Sequence, residues 1–198
     1  MIGTFSICMI LKNIWALWWL DFSYFSLPSF ATQKERAGNA GIMLADAMEE
    51  RKIDNPKVVT LGYPASYGGY PLSIEAFRNA IANSPIEIVR ELPLARPDLR
   101  QSAYNAIVEM VDEGLKFHGV YAMDDDILIG AYEALNDRGM VYTKGENESE
   151  DAVTFVGTVC NGARELLETG KQYGTYKLPS SSLLWHSTRP WNTCRPAN

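Results

Sequence analysis

Three consecutive carboxylates, Asp124, Asp125 and Asp126, stand where the chain changes period. Residues 120–123 before them are an apolar run of strand length. After them Ile127, Ala131, Ala134 and Leu135 recur at helical spacing. Carboxylates at such a junction can do two things. They cap the free N–H groups and positive end of a helix. They also sit just beyond the C-terminal end of a strand, where open parallel sheets hold their ligands. Asp126 reads mainly as a cap. Other polar groups follow strand-like runs in the same way. Tyr63, Tyr67 and Tyr70 follow residues 57–61, Arg96 follows 86–92, and Cys160 and Asn161 follow 152–156. All these groups are expected on one rim of the sheet.

Catalysis is the competing chemistry. Ser66 in Pro64-Ala-Ser-Tyr-Gly68 follows a strand as a nucleophile elbow would, but the first glycine of that motif is missing. A triad needs a histidine beside it. His118 precedes its strand and so falls at the opposite end of the sheet, and His186 lies in an unpatterned tail. A hydrolase using Ser66 is therefore the less favoured reading, and the chain reads as a non-enzyme. The aspartates could hold Mg²⁺, but no phosphate-cradling loop or lysine accompanies them. Cys8, Cys160 and Cys194 lack metal-site spacing, so neither a metal nor a cofactor is expected. A net charge of −6 disfavours a nucleic-acid surface.

The elements that must position these groups alternate along the chain. Residues 33–52 carry a helical stripe of Ala37, Ala40 or Ile42, Leu44, Ala47 and Met48, with Glu35, Asp46, Glu49 and Arg51 outside. Strand 57–61 follows, then a Gly/Pro/Tyr loop. Ser73 is placed to cap a helix over 74–83. Strand 86–92, helix 99–113 stopping at Gly114, strand 120–123, and a helix stopping at Gly139 come next. Residues 143–151 read as an exposed turn. Strand 152–156, helix 163–169 and a last strand over 173–177 complete the series. Such alternation predicts an α/β fold: a doubly wound parallel sheet with helices on both faces.

The ends differ from this middle. Residues 1–31 are apolar and rich in tryptophan, but Lys12, Asn13 and Asp21 break the run short of a membrane span. They read as a signal or a foreign extension, with Ser29-Phe30-Ala31 offering small residues for cleavage. Residues 179–198 read as an irregular tail with no core face. The domain is assigned to residues 32–178.

The stretch from Asp124 to Ala131 resembles the Asn-Asp-x-x-Ala-x-Gly-Ala segment of type I periplasmic sugar-binding proteins. It is also similar to the effector domains of lac-repressor-type regulators. Asp124 falls on the family's Asn, Asp125 on its Asp, and Gly130-Ala131 on its Gly-Ala, while Leu128 replaces a small residue. Residues 34–177 follow the family segment by segment. Ala37-Gly38 looks like the helix that opens the second lobe, Phe77 matches a Gly-Phe position, and residues 155–162 with 167–171 resemble the Val-Gly…Gly-Lys block.

The resemblance implies one lobe, the second, of a two-lobed clamp. Its ligand would be a small solute, usually a sugar, delivered to a membrane permease of an ATP-driven importer. It also implies ligand contacts from Asp124, Asp125, Arg96, Tyr67 and Asn161, with Ser73 where the family carries an arginine. Sugars need such planar polar groups for their hydroxyls and aromatic faces for their C–H surfaces. Export to the periplasm would follow if residues 1–31 act as a signal. One lobe supplies only half a clamp, so weak or absent binding is expected, with self-association through the uncovered inter-lobe face. A regulator's sensing domain has the same fold, but residues 1–31 do not resemble a basic helix-turn-helix.

Overall fold

Alternating apolar runs and amphipathic stripes build one layered sheet in the computed structural model, which describes residues 32–64, 66–95, 97–158, 163–176 and 193–194. Helix α1 covers 32–50. Then follow β1 (Lys57–Gly62), α2 (Gly69–Ile81), β2 (Glu87–Pro93), α3 (Leu99–Asp112), β3 (Gly119–Ala122), α4 (Asp125–Asn136), β4 (Thr154–Gly157), α5 (Arg164–Glu168), β5 (Gly174–Tyr176) and β6 (Thr193–Cys194). The sheet order is β2-β1-β3-β4-β5-β6. The first five strands are parallel; β6 pairs antiparallel with β5. The doubly wound expectation holds for the parallel part. The tail differs from expectation, since Thr193 and Cys194 add an edge strand to the sheet.

Strand alternation splits the core into two halves. Gly119 and Tyr121 of β3 face α1 and α2: a Cβ on Gly119 would touch Leu44, and the Tyr121 ring stacks on Phe77 at 4.5 Å. Val120 and Ala122 face the other way. Phe155 of β4 lies on that second side and meets Tyr132 of α4 edge-on at 6.1 Å. Strands β1, β3 and β4 are buried on both faces, as crossover helices require. Edge strand β2 is only half-buried.

Helix ends explain several boundaries. Gly114 (φ +75°) and Gly139 (φ +65°) take the left-handed conformation that the stop signals predict. Leu115 N–H then reaches back to Met110 O at 3.0 Å, and Met140 N–H to Leu135 O at 2.9 Å. Helix α2 begins earlier than the sequence suggests, at Gly69, and its cap residue Gly68 makes no side-chain cap bond. Ser73 is therefore an interior helical residue, not a cap. Pro71 fits because the first turn needs no donor there. Two residues of the stretch 33–52 also differ from expectation. Ile42, offered to the stripe, is 45% exposed, and Arg51, assigned to solvent, is drawn into the structure.

Arg51 ties the strand beginnings together. Its guanidinium donates to His118 O at 3.1 Å, Thr154 Oγ1 at 2.9 Å, Ser149 O at 3.1 Å and Glu150 O at 3.3 Å, and lies over the Tyr142 ring at 4.4 Å. His118 Nδ1 accepts from Lys57 N–H at 2.9 Å. This end of the sheet is thus held by side chain as well as ladder, and the described groups Tyr67, Asp124 and Asp125 lie at the other end.

Candidate functional site

The strand order 2-1-3-4-5 reverses direction between β1 and β3, and ligand crevices form outside strand C-termini at such a switch point. The loops entering that crevice are the β1–α2 loop, the β3–α4 junction and the start of the β4–α5 loop. Helix α1 runs antiparallel to the strands. Its last turn reaches the strand beginnings through Arg51, so its first turn lies at the rim.

The aspartates divide their work. Asp124 is the N-cap of α4, extended at φ −151° and ψ 176°, and its Oδ1 accepts from Ile127 N–H at 3.0 Å. This cap role was read onto Asp126, which instead lies exposed in the first turn, with Arg100 of α3 close enough to feel its charge. Asp125 is only 7% exposed, and its Oδ2 accepts from Ala163 N–H at 3.2 Å. Thr158 Oγ1 donates to Met123 O at 2.5 Å. These two bonds pin both described ends of the loop between β4 and α5 to the β3–α4 junction. Asp125 therefore positions a rim loop, whatever else it touches.

Tyr67 is 40% exposed in the β1–α2 loop. Its hydroxyl accepts from Gln33 Nε2 at 2.9 Å, and its ring lies 4.8 Å from that of Tyr63. Tyr70 packs inward: a Cβ on Gly62 would fall 2.6 Å from its ring and 2.4 Å from Met123 Sδ. The absence of a side chain at the end of β1 lets these two residues close beneath the rim. Tyr121 is fully buried one residue before the end of β3. Burial pushes its hydroxyl well above the ordinary tyrosine range, with the charge of Arg36 and a hydrogen bond with Thr158 acting against that.

Of the residues predicted to contact ligand, Asp124, Asp125 and Tyr67 lie on this rim. Ser73 is 2% exposed inside α2. Arg96 and Asn161 lie outside the described residues, as do residues 1–31. Ser66 is exposed in the β1–α2 loop, and His118 is at the opposite end of the sheet, as the sequence order implied. Among the described residues, no cluster of histidine, cysteine and carboxylate could hold a metal, and no helix is long and apolar enough to cross a membrane.

Two rim residues escaped the sequence reading: Gln33 and Arg36, in the first two turns of α1. The signal was their spacing. Positions 33, 36, 37 and 40 share one helical face, so the polar pair extends the apolar stripe towards the rim.

A parallel 2-1-3-4-5 sheet with the acidic junction at its switch point is the fold of a single lobe of the type I periplasmic-binding-protein class. Solved structures of that class resemble it closely in shape. They include a galactofuranose binding protein (18% identity, TM-score 0.61, covering 74% of this chain and 47% of that one). Another is the periplasmic binding component of the arabinose ABC transporter from Shewanella sp. ANA-3, bound to L-arabinofuranose (17%, 0.60, 74% and 46%). A third is a periplasmic ribose ABC transporter from Conexibacter woesei (19%, 0.57, 70% and 44%). The chain spans less than half the length of these proteins. No protein-family model matches the chain. No curated protein sequence matches it either.

Proposed function

We propose that this chain is a solute-binding lobe, equivalent to the second lobe of a periplasmic sugar-binding protein that serves an ATP-driven importer. The observation carrying this reading is the loop tether at the switch point. Asp125 and Thr158 tie the β4–α5 loop to the junction capped by Asp124, beside the exposed Tyr67. Such a rim offers acceptors and an aromatic face to one side of a polyhydroxylated ligand. Arg96 and Asn161 belong to the same proposed contact set. A membrane permease and a periplasmic location follow from the same reading.

A lobe alone makes half the contacts of a closed clamp, so binding is weak. A thermal-shift screen against neutral monosaccharides should give no hit tighter than about 1 mM. A clear submillimolar hit would contradict the single-lobe reading. Any hit should vanish in the Asp124→Ala/Asp125→Ala double variant, and survival of binding in it would refute the assigned rim. The uncovered rim should also favour self-association, read by sedimentation velocity as a concentration-dependent shift.

A further inference from the structure

The start of α1 holds two buried polar atoms for which the fold supplies no partner. Gln33 donates through Nε2 to Tyr67, but its Oε1 is sealed from solvent with no hydrogen-bond partner among the described residues. It rests against the first turn of α2, where a Cβ on Gly69 would lie 1.8 Å from it. Arg36 follows one turn later on the same face. Its Nε is likewise buried without a partner, while the residue as a whole is half-buried. Among the described residues it forms no salt bridge, unlike Arg78, Arg90, Arg100, Arg138 and Arg164. A guanidinium nitrogen shut from water and left unpaired is costly unless the group gains a partner elsewhere.

Each neighbouring carboxylate already has a partner within the fold other than Arg36. Asp124 caps α4, Asp125 holds Ala163, and Asp126 faces Arg100. Arg36 is left as a forked cation with no ion-pair partner among the described residues. A fork of N–H groups matches a carboxylate. We infer that Arg36 forms a ligand subsite at the start of α1 for a sugar acid, its guanidinium taking the carboxylate through the nitrogens that are not sealed. This rests on the solute-binding reading above and names the class of solute.

The test is titration of the isotope-labelled full chain, followed in the proton–nitrogen NMR spectrum, where the arginine Nε–Hε signals resolve. Galacturonate and gluconate are compared with galactose and glucose, each to tens of millimolar, roughly the range in which a half-clamp binds. The expected result is a saturable shift of the Arg36 Nε–Hε signal with the acids only. Arg36→Met should weaken the acids about 10- to 100-fold, the usual worth of a charge-assisted hydrogen bond. Arg36→Lys should restore part of it, and thermal unfolding checks that both variants fold. Equal shifts with neutral sugars would overturn the sugar-acid assignment. Shifts of Tyr67 and Asp124 amides with an unmoved Arg36 would overturn the subsite and leave the solute-binding reading intact. Silence of the whole rim with all four sugars would overturn both.

Discussion

Asp124 carries two expectations that one substitution can separate. As a cap it satisfies an otherwise free N–H of α4. Asp124→Ala should cost about 1 kcal/mol of folding stability by that loss alone, measured by urea denaturation. Asp124→Ser keeps an acceptor and should recover most of it, while any ligand contact that needs a charge stays lost. His118 makes a second residue-scale expectation. Burial, and then the charge of Arg51, hold its imidazole below the ordinary histidine value, against the smaller opposite pull of Glu150 and Asp151. Its neutral Nδ1 accepts from Lys57 N–H. The unfolded chain therefore takes up this proton more readily than the folded one. Stability should be fully present above about pH 6.5 and decline as pH falls below it. Urea midpoints across pH 5 to 8, roughly the window in which histidine titrates, should slope in the parent and flatten in His118→Asn.

At the scale of elements, α3 and α4 pack at backbone distance. A Cβ on Gly130 would lie 2.0 Å from Arg100 O and 2.8 Å from its carbonyl carbon. Backbone cannot step aside as a side-chain end can. Gly130→Ala should cost about 1–3 kcal/mol or more through overpacking, read by denaturant midpoint. The same scale shows what the sequence made legible. The helices and the five parallel strands announced themselves because burial on both faces, or on one stripe, writes its own period, whereas edge strand β6 did not. Nor did the start of α2. Gly68-Gly69-Tyr70-Pro71 has turn composition, and its contacts with Gln33 and Gly62 come from other elements of the fold. Arg51 was misread for a related reason. A charge at a helix end looks solvated until carbonyls some hundred residues later in sequence come to meet it. The rim was legible as a set of strand ends. Which aspartate capped, and which tied a loop, depended on distances that spacing does not encode.

At the scale of the molecule, the structure is asymmetric from end to end. One end of the sheet is fastened by Arg51, His118 and Thr154. The other carries loops joined to each other by a few single bonds. Hydrogen exchange should be slowest through β1, β3 and β4, and faster in the β1–α2 loop, where residues 66–68 are exposed. A ligand at the rim should slow exchange there with little change below.

The short antiparallel pairing of Thr193–Cys194 on β5 has a consequence for solubility. A two-residue ribbon shields the bare amides of an outer strand, and such exposed borders template stacking between molecules. Removing residues 177–198 should leave the α/β layers folded yet convert the protein into a fibril former. Thioflavin fluorescence should then rise over days in the shortened chain while the intact one stays dark.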